Sequence, residues 1–491
     1  MKDAPEKTPA ERSLDPADWD TFRDLSHRML DVALDYIRDV RERPVWSPLP
    51  ADLERSLAEP LPVEPQGAER ACDDLRRLIL PHSTGNIHPR FFGWVHGSGT
   101  PGGILAEIFA AAMNSNVGGR NHGAVYVERQ VLRWAAELFG FPPGCGGIVT
   151  SGTSMGNLIG MAVARNDKAA GDVRAGGLRA GGERLTAYAS EEAHVSVAKA
   201  MEILGLGGEN LRRVPVRDDF TMDTEALDKA IVRDAAEGRL PFCVVASAGT
   251  VNTGAMDDLG AIARICADHG LWMHVDGAFG GLAVLSDRLR DRLRGVEKAD
   301  SIAFDFHKWM HVQYDAGCVL VNRNDLHLQT FSSRPDYLLP ADSGLAGGNP
   351  WFCEYGPELS RGFRALKVWF LMKEHGLRRI AEKIEDNCRQ AARLAKRVLA
   401  EPALELLAPA SLNIVCFRYQ PPGADEKRLD ELNGRIVVLL QERGIAAPST
   451  TLLRNRLAIR VCLTNHRTVD ADLDMLVDSI LRIGAELTAA E

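Results

Sequence analysis

S-I-A-F-D-F-H-K-W-M, residues 301–310, decides how this chain is read. Ile302 to Phe304 make a short apolar run that stops abruptly at Asp305, Phe306, His307 and Lys308, with Trp309 behind. An extended segment that delivers a lysine beside a histidine and an aromatic ring can set an amine in an enclosed pocket. Burial depresses a lysine's pKa and makes it a usable nucleophile or Schiff-base former. A surface His-Lys pair after a strand would look the same, so the rest of the chain has to discriminate.

Upstream and downstream of this stretch, short β-branched runs alternate with helical periodicity. Gly147–Thr150 precedes a helix over 154–165, and Thr186–Ala189 precedes one over 194–204. Phe242–Ala248 precedes a helix over 259–269, Leu271–Val275 leads into G-A-F-G-G, and Cys318–Asn322 follows as a further strand. Repeated strand–helix units predict an α/β fold with a mostly parallel sheet covered on both faces. Ligands of such sheets gather at the carboxyl ends of the strands. Four strands here end at Ser151, Ser190, Asp276 and Asp305.

Each strand end is ambiguous by itself. T-S-G-T-S-M-G-N-L (150–158) puts hydroxyls and free N–H groups at a helix start, which suits a phosphate and equally suits an ordinary N-cap. In H-V-D-G-A-F-G-G (274–281), Asp276 can hold a heterocyclic nitrogen protonated or simply cap the next helix. Ala278 and the glycines leave room for a flat ring, and His194 can stack on its other face. Together with Lys308 these are the requirements of pyridoxal 5'-phosphate: an amine for the aldehyde, an anchor for the phosphate and an acid for the pyridine nitrogen.

The remainder of the chain frames this site. Residues 1–85 read as a helical, proline-punctuated arm that packs on a partner subunit, with one helix over 20–38. Residues 86–380 form a large unit, and 381–491 a small C-terminal α+β unit containing L-N-I-V-C-F-R-Y and L-A-I-R-V-C-L strands. Two helices, 361–374 and 378–399, join them. The Pro-, Gly- and Ser-rich stretch 332–357 reads as a loop of the lid type.

Composition narrows the class. Of 491 residues, 45% are hydrophobic and 25% charged, as in an ordinary globular enzyme. A net charge of -9 disfavours a nucleic-acid partner, and no apolar run approaches the roughly 20 residues of a membrane span. Nine scattered cysteines without a C-x-x-C pair fit reduced thiols in a cytoplasm and offer no metal site. The charged N-terminus has no secretory h-region.

Taken together, the sequence resembles the group II pyridoxal-phosphate-dependent decarboxylases, the aromatic-L-amino-acid decarboxylases in particular. The resemblance is carried by H-P-R-F-F (88–92), S-G-T-S (151–154), S-E-E-A-H-V-S-V (190–197), S-A-G-T (247–250), H-V-D-G-A (274–278), H-K-W (307–309), P-D-Y-L (335–338) and R-G-F-R-A-L-K-V-W (361–369). It implies the type I fold of pyridoxal enzymes and a homodimer with active sites at the interface. It also implies that Lys308 bonds to the cofactor, Asp276 pairs with the pyridine nitrogen, and His194 and Ala278 flank the ring. Thr153, Ser154 and His307 would hold the phosphate, and Thr250 would lie at the ring edge. Tyr337, on the loop, would return a proton to the substrate's Cα, with His194 as the other candidate.

Three departures bear on the substrate. Asp305 stands where animal members often carry Asn. Trp94, Val95 and His96 replace a more uniformly aromatic lining of the substrate pocket. Ser360 occupies a position where Gly accompanies indolic substrates and Ser phenolic or imidazole ones. The expected reaction is therefore decarboxylation of an L-amino acid with a phenolic, phenyl or imidazole side chain. The alternatives are an aromatic aldehyde synthase, which adds oxidative deamination, and a decarboxylase of acidic or diamino acids.

Overall fold

The computed structural model of the protein describes residues 13–169, 171–178, 184–333 and 341–489. A two-residue strand, Phe91–Phe92 (β1), comes first in the chain and stands apart from the main sheet. That sheet is built from Gly146–Thr150 (β2), Leu185–Ser190 (β3), Leu211–Val214 (β4), Leu240–Ser247 (β5), Trp272–Asp276 (β6), Ser301–Asp305 (β7) and Gly317–Val321 (β8). Their order is β2-β8-β7-β6-β5-β3-β4. The neighbours from β7 through β6, β5 and β3 to β4 are parallel, whereas β8 runs antiparallel to both β7 and β2. The reversal has a local cause: residues 306–316 are too few for the crossover of a dozen or more that a parallel neighbour needs. That short return, not a crossover helix, carries Lys308.

The strands β2, β3, β6, β7 and β8 are buried along their whole length, which is why they read as mostly apolar runs. β4 (L-R-R-V) and the helix Thr224–Ala236 were not anticipated. β4 is an edge strand whose two central residues are arginines, and such a strand lacks the apolar signature.

A second sheet holds Leu404–Leu406 (β9), Ile414–Tyr419 (β10), Ala447–Leu453 (β11) and Arg456–Cys462 (β12), in the order β1-β11-β12-β10-β9. The helices Glu426–Glu442 and Asp470–Ala489 bury Ile436, Leu440, Leu476 and Ile480 in the same core as Phe417. β1 pairs in parallel with β11, Phe91 opposite Ala447, although residues 91–92 fall inside the segment 86–380. The two units are thus interleaved at that point. The helix Arg364–Ala400 is broken at Gly376 (φ 67°, ψ 156°), which accounts for the two helical stretches in the sequence.

The stretch 332–357 is not uniformly loop-like. Tyr337 lies outside the described residues. Trp351, Phe352 and Tyr355 are buried, and the Cys353 N–H donates to the Gly118 carbonyl. That end of the stretch is core, held by apolar burial, and the lid expectation does not extend to it.

Candidate active site

The carboxyl ends of β2, β5, β6 and β7 open onto one cleft of about 480 Å³. Its lining includes Thr153, Ser154, His194, Thr250, Asp276, Ala278, His307 and Lys308, with Trp94, Val95 and His96 on the opposite side. These are the expected site residues with two exceptions. Ser360 is solvent-exposed and does not line the cleft of the single chain, and Tyr337 is outside the described residues.

Asp305 organises the lysine. Its Oδ2 lies 3.0 Å from Lys308 Nζ, and its Oδ1 accepts the Thr153 N–H at 2.7 Å. One buried carboxylate therefore ties the amine to the first turn of the helix Thr153–Lys168, where the helix dipole favours negative charge. The sequence did not connect Asp305 to Thr153, which is 152 residues away. The Thr153 hydroxyl is buried without a partner.

Three imidazoles surround the lysine, and each has its pKa pushed down chiefly by burial. The positive charge of Lys308 adds to the effect at His96, His194 and His307, while Asp276 opposes it at His194 and Asp305 at His307. His307 Nδ1 accepts the Ala316 N–H at 3.0 Å, and its ring lies 4.4 Å from that of Tyr314. His194 caps the helix Val195–Ile203, its Nδ1 accepting the Ser196 N–H. The Asp276 carboxylate accepts from Asn157 Nδ2 at 2.9 Å and from the Ala278 N–H at 3.2 Å.

The outer wall presses directly on the lysine's backbone. A Cβ on Gly97 would sit 2.0 Å from the His307 carbonyl oxygen and 2.5 Å from that of Lys308, so only glycine fits there. His96 packs against both Phe91 and Trp94, at 5.7 and 5.8 Å, and meets Tyr314 edge-on at 6.0 Å. Tyr314, Phe279 and Val251 also line the cleft and were missed. Tyr314 lies in the same return loop as Lys308, six residues on, beyond the motif that drew attention.

The donor set suits pyridoxal phosphate. A primary amine, a carboxylate fixed by an amide, a flat floor at Ala278 and an unpartnered buried hydroxyl at a helix start face one space large enough for the group. The cofactor is thus supported by residue chemistry as well as by motif.

Comparison with known proteins agrees. Residues 50–420 match the pyridoxal-dependent decarboxylase conserved domain. The chain is 32% identical over 473 residues to an aromatic-L-amino-acid decarboxylase of Bacillus atrophaeus, covering 95% of this chain and 96% of that one. It is 29% identical over 479 residues to a phenylacetaldehyde synthase of Petunia hybrida, covering 93% of each. A crystal structure of Oryza sativa TDC with PLP and tryptamine superposes with a TM-score of 0.89 at 27% identity, over 97% of this chain and all of that one. No helix among the described residues is long and apolar enough to cross a membrane. A match that spans most of the chain, on a fold whose strand ends supply what the cofactor needs, makes this protein a member of the pyridoxal-dependent decarboxylase family, a carboxy-lyase that works with pyridoxal phosphate.

Proposed function

We propose that the protein decarboxylates an aromatic L-amino acid, giving the amine and CO2. Pyridoxal phosphate, when bound, supplies a sink for the electron pair left at Cα as CO2 departs. Lys308 would be the amine that holds the cofactor's aldehyde. Asp276 would pair with the pyridine nitrogen and keep it protonated. His194 and Ala278 flank the ring, and Thr250 stands at its edge. Thr153, Ser154 and His307 hold the phosphate. Trp94, Val95 and His96 receive the substrate side chain, and Tyr337 returns a proton to Cα.

The observation that carries the substrate class is the outer wall. Trp94, His96 and Tyr314 line the cleft beside Lys308 and pack ring against ring, with Phe91 behind them. An apolar aromatic wall with a neutral imidazole favours an aromatic side chain and offers no fixed charge to an acidic or diamino one. Ser360 favours phenolic or imidazole substrates over indolic ones, and reaches the site only if a second subunit closes over it. The working form is a cytoplasmic homodimer in which the arm of residues 1–85 lies on the partner. In support of this, Trp19, Phe22, Leu34, Leu61 and Val63 of that arm are exposed in the single chain.

The test is a screen of the common L-amino acids with protein and pyridoxal phosphate, following CO2 and identifying the product. Amine from tyrosine, dopa, phenylalanine or histidine is expected. Turnover confined to glutamate, aspartate or diamino acids would overturn the substrate class. Aldehyde with stoichiometric peroxide would replace simple decarboxylation by the aldehyde-synthase reaction.

A further inference from the structure

A chain of hydrogen bonds runs through the interior beneath the cleft. Trp272 Nε1 donates to Ser301 Oγ at 2.8 Å, and Ser301 Oγ lies 2.7 Å from His274 Nδ1. His274 Nε2 lies 2.9 Å from Asn157 Oδ1. Asn157 Nδ2 donates to Asp276 Oδ2 at 2.9 Å and to Ser196 Oγ at 3.0 Å, and Ser196 Oγ lies 2.8 Å from His194 Nδ1. Trp272, Ser301, His274 and Asn157 are fully buried, so none can exchange its partner for water without opening the core.

The chain has a single polarity. A backbone N–H can only donate, and that of Ser196 donates to His194 Nδ1 at 3.2 Å. Nδ1 therefore carries no proton, and the neutral ring holds its proton on Nε2. Asn157 must turn its NH2 toward Asp276, because the reverse orientation would set two oxygens against each other at 2.9 Å. Its carbonyl then faces His274 Nε2, which donates. His274 Nδ1 accepts from Ser301, whose oxygen already accepts from Trp272. Burial pushes the His274 pKa down to about 3, which keeps that ring neutral. Gly160, one turn along the helix from Asn157, makes the room: a Cβ there would stand 2.6 Å from His274 Nδ1.

We propose that Asn157 is a positioning residue of the active site, one buried amide that aims the Asp276 carboxylate and, by donating to Ser196 Oγ, turns that hydroxyl's proton toward His194 Nδ1. The proposal rests on the assignment of Asp276 and His194 to the cofactor's surroundings. It has a chemical consequence. An imidazole whose remaining nitrogen carries its proton can donate to an anionic group, but has no lone pair left to take a proton from Cα. His194 thereby favours loss of CO2 over loss of the Cα proton.

The test begins with cofactor-free protein labelled with 15N-histidine, the His194 signals being assigned from His194→Gln. Wild-type protein should show one His194 tautomer with a hydrogen-bonded Nδ1, and Asn157→Ala a shifted Nδ1 signal, as that nitrogen loses the oriented Ser196 hydroxyl. Titration with pyridoxal phosphate, followed by tryptophan fluorescence, should show affinity falling about tenfold in Asn157→Ala, the scale of one lost hydrogen bond to a charged group. In the loaded enzyme kcat should fall about as much, with KM within about twofold. Asn157→Thr keeps one donor and should recover part of each loss. If Asn157→Ala does not fold, Ser301→Ala carries the test: two hydrogen bonds away, it frees His274 to flip and should move the Nδ1 signal and affinity in the same direction, by less. An unchanged Nδ1 signal and affinity in whichever of these two variants folds, or no recovery in Asn157→Thr, overturns the proposal. Wild-type protein that fails to bind pyridoxal phosphate would instead sink the site assignment itself.

Discussion

The two walls of the cleft contrast in how they are held. The inner wall consists of residues at the ends of adjacent strands: Asp276 ends β6, Asp305 ends β7, and Lys308 comes three residues later. The sheet's own hydrogen bonds set their spacing. The outer wall is suspended from the second sheet. Arg460, on β12, is buried and donates through Nη1 to the Trp94 carbonyl and through Nε to the Val251 carbonyl, at 3.0 and 2.9 Å. Thr464 Oγ1 donates to the His96 carbonyl at 2.7 Å. The inner wall is thus spaced by the main sheet, whereas the backbone carbonyls of Trp94 and His96 are held from the second sheet.

Substitutions should separate the walls. On the inner wall, Lys308→Ala should lower CO2 release by at least about 10³-fold, the scale on which loss of a covalent catalytic group acts. It should also remove the visible absorbance that pyridoxal phosphate gains on bonding to the protein. Retained turnover would move the chemistry away from this lysine.

Asp305→Ala comes next. It leaves Lys308 Nζ and the Thr153 N–H without their common partner. Cofactor affinity, followed by dialysis and absorbance, should drop about tenfold to a hundredfold, as expected for lost hydrogen bonds to a charged group. KM for the amino acid, measured with saturating cofactor, should stay within about threefold of wild type, since Asp305 supports the inner wall only.

On the outer wall the pattern should invert. Arg460→Ala strips three part-buried carbonyls, of Trp94, Val251 and Asn252, of this donor, costing about 2 kcal/mol of stability in urea unfolding. KM should rise about tenfold while cofactor affinity changes by less than about twofold. Equal losses in both constants would mean that the walls are one mechanical unit.

The same division governs what the sequence could reveal. β6 and β7 are apolar runs that end in a functional residue, and strand periodicity with an abrupt polar stop is a local signal. Lys308, Asp276 and His194 were legible for that reason, and the motifs around them gave the family. Asp305 was visible but its task was not, since Thr153 is remote in sequence. Asn157 sits in a helix interior, where an asparagine has no local signature of a buried network. Arg460 looked like one charge in an alternating strand, and only the fold puts its guanidinium against two loops. β11, A-P-S-T-T-L-L, was hidden by its proline and its polar centre. Tertiary hydrogen bonds, unlike periodicity, leave no trace in spacing.

The smallest expected effect concerns the foot of the outer wall in acid. His88 lies just before β1, buried, with Nδ1 accepting the Arg90 N–H at 3.0 Å and Nε2 facing the Arg43 carbonyl at 3.1 Å. Burial pushes its pKa down to about 4, with the charge of Arg90 adding to the effect. In the unfolded chain a histidine titrates near 6.5. The unfolded state therefore takes the proton first. Stability is fully present above about pH 6.5 and is lost as pH falls from there toward 4, by at most ~3 kcal/mol for this one group. In His88→Gln, which cannot take up that proton, urea unfolding across this range should lose up to ~1.4 kcal/mol per pH unit of slope. Burial holds the His274 ring neutral down to about pH 3, so of these two buried histidines His88 takes up its proton first.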